Sequence, residues 1–209
     1  MANEKRSRIQ TANRAAIMAA ALDVFASDGY RGATVDRIAE SAGMSKPNLL
    51  YYFKSKEEIY REVLEGTLEG WLEPLEALDP DGDPLTELET YIRAKVEMAR
   101  ARPAESRMFA NEIQRGAPLM GTFLSTRLKT LVDQKAAVIK GWMDAGALEP
   151  SDPHHLIFMI WATTQHYADF DVQVSAILQK RAKSPRFTGE VVDAVLAVLL
   201  NGVRVRPEK

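Results

Sequence analysis

Three histidines, no cysteine and no glycine-rich phosphate loop leave this 209-residue chain little equipment for catalysis. Without cysteine there are no disulfides, thiolate zinc sites, iron–sulfur clusters or thiol nucleophile, a usage that suits a reducing cytoplasm. His155 and His166 point the same way on a helix but stand eleven positions apart. That is about 16 Å along the axis, too far to share a metal ion. No nucleophile-elbow pattern marks a serine. The acidic residues scatter over helix faces as solvated charge. No catalytic residue, metal or cofactor is expected.

Two constellations suit binding instead. The first lies between Thr34 and Tyr52. Ser45, Lys46 and Asn48 are polar at the start of a short helix, Leu49 can face a core, and Tyr51 and Tyr52 offer hydroxyls. A short helix, a turn at Gly43 and a second short helix form the helix-turn-helix outline, whose second helix enters the DNA major groove. Any helix pair joined through glycine shares that outline, so spacing alone leaves DNA binding open.

The second constellation lies between 154 and 170. At about 100° per residue, Ile157, Phe158, Trp161, Thr164, Gln165 and Ala168 share one helix face, with Asp169 at its edge. A glutamine side chain has one acceptor and two donors, which match the adjacent N–H and C=O of a small planar amide. Trp161 or Trp71 would stack on such a ring or wall it. The alternative is that Gln165 bonds nearby backbone and both tryptophans are core. Lys95 has Tyr91, Ile92, Met98 and Ala99 as helical neighbours, all apolar. It either snorkels to solvent, the favoured outcome, or meets a ligand carbonyl or a carboxylate such as Glu112 or Asp169.

The elements that must position these residues are helices throughout, because period-2 alternation is absent. Helices are expected at 9–27, ending at Asp28-Gly29, at 35–41 capped by Thr34, and at 45–52 with Pro47 in its first turn. Ser55 and Glu58 form a capping box that opens a long helix to about Leu78. After the break Asp79–Pro84, helices are expected at 85–102, 104–115, 118–145, 153–178 and 188–203, the fourth capped by Asp152 with Pro153 first.

Length and 46% apolar content allow a proper core, and net charge is only −2. No run reaches the roughly 18 apolar residues of a membrane span. The basic start followed by Ala15–Leu22 mimics a signal peptide, but its apolar residues recur at helical spacing. Residues 1–60 hold nine Lys/Arg and seven Asp/Glu, a balance of +2, against 18 and 22 in the remainder, −4. That asymmetry permits a nucleic-acid face at the N-terminal end.

The unbroken stretch from Phe25 to Glu57, with its order Gly29-Tyr30-Arg31-Gly32-Ala33-Thr34-Val35 and Ser45-Lys46-Pro47-Asn48-Leu49-Leu50-Tyr51-Tyr52-Phe53, closely resembles the N-terminal domain of TetR-type transcriptional repressors. The resemblance covers about residues 10–65. It implies an all-helical homodimer: a basic arm at 1–10, a three-helix DNA head at 11–55, and a ligand and dimerisation domain at 56–209. Carried over residue by residue, it implies that Thr34 takes a phosphate and that Ser45 opens the recognition helix. It implies that Lys46 and Asn48 reach bases or nearby phosphate. Tyr51 and Tyr52 would brace the DNA backbone, and Lys56 would meet a phosphate at a helix start. Lys5, Arg6 and Arg8 form the arm. Two recognition helices about 34 Å apart would read a palindromic operator in double-stranded DNA.

Within the larger domain, the stretches His154–Phe170, Gly70–Leu75 and Arg115–Leu119 are similar to the pyrimidine-utilisation subgroup of that family. Resemblance to it implies repression of a pyrimidine-degradation operon and release by uracil or thymine, with Trp71, Lys95, Trp161, Thr164, Gln165 and Asp169 as candidate ligand residues. The other face of the Trp161 helix, with Val191, Val195, Val198 and Leu199, would be dimer surface. The continuous helix from Ser55 would connect DNA and ligand sites. Two alternatives stay open: a TetR-type repressor of an efflux or catabolic gene with another small hydrophobic ligand, and, more distantly, a helical ligand carrier or enzyme with no DNA role.

Overall fold

The computed structural model describes residues 2–179, 182, 184 and 186–205, with side chains from residue 8 onward. Every regular element among them is helical. The chain groups into two compact units. One holds residues 1–68 and 107–120, the other 69–106 and 121–209. These units are defined by packing, and their bounds are not those of the expected spans 11–55 and 56–209.

The first unit begins with α1 (Ala2–Gly32). Ile17, Ala20, Ala21, Val24 and Phe25 form its buried stripe at helical spacing. The helix breaks at Gly29, with φ +67° and ψ 170°, as the Asp28-Gly29 pair predicts. Its start differs from expectation: helix runs back to Ala2, across the segment read as an arm. The side chains of Lys5 and Arg6 lie outside the described residues, and Arg8 is exposed.

Helices α2 (Val35–Ser41) and α3 (Lys46–Tyr52) follow, each capped as their sequences dictate. Thr34 Oγ1 accepts from the Arg37 N–H at 3.2 Å, and Ser45 Oγ accepts from Asn48 N–H at 3.4 Å. Helix α4 (Lys56–Glu76) opens on the capping box. Ser55 Oγ accepts from Glu58 N–H at 3.1 Å, and Glu58 reaches back to the Lys54 N–H at 2.6 Å. Ile38, Leu49, Phe53, Ile59 and Leu64 are fully buried here, each worth about 1.5–3 kcal/mol.

The second unit contains α5 (Pro84–Ala101), α8 (Lys129–Asp144), α9 (Pro153–Asp169), α10 (Asp171–Leu178) and α11 (Phe187–Val203). Between α5 and α8 come α6 (Pro103–Gln114), which spans both units, and the short α7 (Gly121–Phe123). Helix α5 packs against α9 and α11, and α8 packs against α9. Leu75, Leu88, Tyr91, Ile139, Ile157 and Ile160 lie at the core.

Two continuous helices expected from the sequence are interrupted. The one over 118–145 begins as a turn, then α7, then a π turn at Leu124–Leu128 before α8. The one over 153–178 breaks at Phe170 (φ −118°, ψ 34°), and α10 restarts at Asp171, an acidic residue favoured in a first turn. No glycine or proline announces that break.

Candidate DNA interface and effector site

The recognition helix α3 presents its face to solvent. Lys46, Pro47, Asn48, Leu50 and Tyr51 are exposed, and only Leu49 is buried. Tyr51 is 66% exposed. Its ring meets Tyr52 edge-on, and its hydroxyl accepts from Gln10 Nε2 at 3.4 Å. Tyr52 is half-buried, and its hydroxyl accepts from Asn13 Nδ2 at 2.8 Å. Both hydroxyls therefore meet α1, but Tyr51 keeps most of its ring in solvent while Tyr52 is the shorter-bonded, half-buried anchor of α3.

Lys46 Nζ pairs with Asp36 on α2 at 2.9 Å. Lys56 is not a free cation. Its ammonium donates to the carbonyls of Tyr30 and Ala33 at 2.7 and 2.9 Å and lies 4.5 Å over the Tyr30 ring. It caps carbonyls at the end of α1 that would otherwise lack donors. Lys56→Met should destabilise this unit by about 2 kcal/mol, because two part-buried carbonyls lose their partner. Thermal unfolding followed against Lys56→Arg checks this, since arginine can still donate. Equal stability of Lys56→Met and wild type would remove the capping role.

Tyr60 closes the aromatic cluster behind the head, 4.8 Å from Phe25 and 4.7 Å from Tyr30. Burial, then the charge of Glu112, pushes its hydroxyl up to about 12.

In the second unit the structure draws three of the six candidate ligand residues into one cluster. Lys95 is 3% exposed, so it does not snorkel as favoured. The reason is what covers that face of α5: the Trp71 ring lies against the ammonium, and Asp169 stands near it. Its ammonium sits 4.3 Å over the Trp71 ring. Burial lowers its pKa to about 7, opposed by the nearby Asp169. Among the described residues the ammonium makes no hydrogen bond. Asp169 accepts from the Ser106 hydroxyl. Trp71 Nε1 donates to Glu105 at 3.2 Å, and Glu105 faces Arg102.

The other three candidates are placed differently. Thr164 is fully buried, with its hydroxyl donating to the Ile160 carbonyl at 2.7 Å. It lines a cleft of ≈ 230 Å³ with Val96, Ala99, Ala168, Val174 and Phe187. Ala99 and Ala168 also pack against Trp71, so this cleft shares a wall with the Lys95 cluster. Trp161 is half-buried and donates its indole N–H to the Tyr91 hydroxyl at 2.6 Å. Gln165 is half-buried, outside the lining of this cleft. Sequence reasoning missed Tyr91, Glu105 and Ser106. Tyr91 carried a signal, being one turn before Lys95 on the same face; the other two carried none.

His154 faces Asp133 at 3.2 Å and His166 stacks on Phe170 at 5.0 Å. No metal-holding group of three occurs among the described residues.

Residues 17–63 match the family of bacterial regulatory proteins called tetR, and residues 64–206 match the C-terminal region of YcdC-like proteins. The chain is 48% identical over 202 residues to the HTH-type transcriptional regulator RutR of Escherichia coli K12, covering 97% of this chain and 95% of the relative. The chain belongs to the TetR family. A more distant relative is the HTH-type transcriptional repressor KstR2 of Mycolicibacterium smegmatis, 26% identical over 88% of this chain and 86% of the relative. Among solved structures, the KstR2 ketosteroid transcriptional regulator of Mycobacterium tuberculosis superposes with a TM-score of 0.73, 25% identity, and coverage of 92% and 95%. AibR, in complex with isovaleryl coenzyme A and operator DNA, gives 0.70 at 17% identity, over 88% and 96%, a likeness of fold. As a TetR member this chain is a DNA-binding transcriptional regulator rather than an enzyme. No described helix is long and apolar enough to cross a membrane.

Proposed function

We propose that this regulator acts in the cytoplasm as a homodimeric repressor of pyrimidine utilisation, and that uracil or thymine releases it from a palindromic operator. One observation carries the effector reading: Lys95 is 3% exposed, its ammonium lies over the Trp71 ring, and among the described residues it donates no hydrogen bond. A buried cation of this kind is costly until a carbonyl oxygen meets it. A pyrimidine base supplies that carbonyl together with a ring face for Trp71 and N–H groups for an acceptor such as Asp169. A site built this way rejects analogues lacking those groups, because its own polar atoms are left unpaired.

On the DNA side, Ser45, Lys46 and Asn48 would approach base edges or phosphate, and Thr34 and Tyr51 would take phosphates. Tyr52 and Lys56 would hold the helices that carry them. The dimer surface would be the groove on α9 and α11 formed by Ala162, His166, Tyr167, Val195, Val198 and Leu199. Val198 there is 72% exposed, and Phe158 and Met159 are also open on α9, an apolar surface that association would cover. Helix α4 contributes residues to both units. It is the continuous element through which effector binding would act, by favouring a dimer that no longer fits the half-site spacing.

A second reading keeps the repressor and changes the effector. It is favoured by the largely apolar lining of the cleft beside Thr164, with Val96, Val174, Phe187 and Val191. Thermal unfolding decides between them. Millimolar uracil and thymine should raise the midpoint by several degrees, and a panel of hydrophobic drugs should not. The opposite pattern gives the site to a larger apolar effector. Failure to prefer DNA from its own upstream region, in a salt-dependent way, would count against the operator itself.

A further inference from the structure

The two helices of the DNA reader carry one cation each, Arg37 on α2 and Lys46 on α3. Both are held by carboxylates in the free protein. Arg37 pairs with Asp28 at 2.9 Å, and Asp28 is also fixed by the Ser27 hydroxyl at 2.9 Å. Lys46 pairs with Asp36, ten residues away and on the other helix, again at 2.9 Å. With Glu40, the four charges of α2 and α3 sum to zero (Asp36 and Glu40 against Arg37 and Lys46). Sequence-independent affinity for a duplex comes from cations that replace counterions at phosphates. A reader whose two cations are already neutralised has little of that affinity to offer.

The two pairs are not equivalent. The Asp28 side chain is 17% exposed, so Arg37 is held by a carboxylate that is largely enclosed. The Lys46 and Asp36 side chains are 49% and 67% exposed. An open ion pair contributes little, because water competes for both charges, so a well-placed phosphate or base can displace it. Asp36 is in the first turn of α2, beside the N-cap Thr34 that is itself a candidate phosphate contact. Its carboxylate therefore also stands where a loosely docked phosphate would pass.

We propose that Asp36 is a specificity-determining residue of this regulator. It holds Lys46 away from phosphates in loose, non-cognate encounters and releases it only when α3 is seated on its operator. The proposal rests on the reading of Lys46 as a DNA contact. In a non-cognate complex the pair stays closed and Lys46 contributes no counterion release. In the cognate complex the pair opens and Lys46 counts.

The test uses the full chain and two duplexes, its own operator fragment and a random sequence of equal length, titrated across a range of salt. Asp36→Asn should strengthen random-duplex binding on the order of five-fold at low salt and steepen its log–log salt slope by about 0.9, one added phosphate contact. Operator binding should change by less than that, with its slope unchanged, so the ratio between the two duplexes falls. In a Lys46→Ala background the gain from Asp36→Asn should shrink to the weak effect of removing one negative charge. Thermal unfolding of each variant shows whether α2 has kept its fold, and Asp36→Ser serves if asparagine disturbs the helix start. An equal gain with and without Lys46 would overturn the proposal, as would equal strengthening of both duplexes with parallel slopes. If Lys46→Ala leaves operator affinity and its slope untouched, the reading of Lys46 fails as well. If Lys46→Ala weakens operator binding but Asp36→Asn changes nothing, that reading stands and Asp36 has no such role.

Discussion

Lys95→Met should make the protein more stable at pH 6 and unresponsive to its effector. The wild-type ammonium is 3% exposed, and its pKa falls from 10.5 to about 7. A base whose folded pKa is depressed binds fewer protons folded than unfolded between those two values. Stability contributed at this site therefore rises with pH from about 7 toward 10.5. Below about 7 both states are charged, and the whole burial cost is present. At about 1.36 kcal/mol per unit the lowered pKa sets that cost at several kcal/mol, a figure that already contains whatever the contact with Trp71 returns. Methionine fills a similar space without charge, so a gain of several kcal/mol is expected at pH 6, shrinking as pH rises to 9. For a chain of this size each kcal/mol is a rise of about 2–4 °C in the sensor's unfolding transition. Operator affinity should be unchanged, and effector-driven release should fall by at least about 30-fold, the loss of one charge-assisted hydrogen bond of about 2 kcal/mol. Calorimetry across pH together with DNA binding in the presence of uracil measures both. A stability difference that does not depend on pH would mean that Lys95 is not a buried ammonium.

Leu49→Ala should have the opposite character, removing DNA binding while sparing the sensor. Leu49 is the one buried residue of the seven in α3, and it is fully enclosed. A leucine truncated in a packed interior costs about 2–5 kcal/mol. Without that anchor, Ser45 still caps Asn48 N–H and Tyr52 still meets Asn13, but neither fixes the depth at which α3 sits. Operator affinity should fall more than about 30-fold, and uracil should raise the midpoint of the sensor transition as much as in wild type. Leu49→Met, which conserves volume, should recover most of the loss. A drop in operator affinity with Met equal to that with Ala would point to a direct DNA contact by this side chain instead.

Much of the scaffold could be read from capping chemistry. Thr34, Ser45, Ser55 and Asp152 each precede a helix, and each accepts a backbone N–H from the first turn; Asp83, read only as part of a break, does the same. Such signals are local, so they survive without knowledge of the rest of the chain. The interruption at Phe170 was not legible, because no breaker residue stands there and the helical pattern continues on both sides. The fate of Lys95 was legible only as two options. Its apolar neighbours at three and four residues were evident, but whether its stem reaches water depends on what covers that face. The cover comes from Trp71 and Asp169, 24 and 74 positions away. The Trp161 indole likewise found its acceptor in Tyr91, 70 positions back, which no pattern on its own helix discloses. The same limit applies to Lys56. A lysine at a helix start near a DNA reader reads as a phosphate ligand, and its two carbonyl acceptors appear only once α1 and α4 are assembled.

The unit that contains the DNA reader is completed by residues 107–120, which the ribosome adds long after residue 68. Met108 and Met120 are buried there, and Glu112 is 1% exposed with one oxygen accepting the Leu119 N–H. A polypeptide stopped at residue 68 would lack these side chains and leave the Tyr60 ring without its cover. Heads of this kind are therefore poor candidates for simple cut-and-paste exchange between regulators. A chimera that carries the first 68 residues should also carry its own 107–120, and a nascent chain cannot finish this unit until about half of the protein has been synthesised.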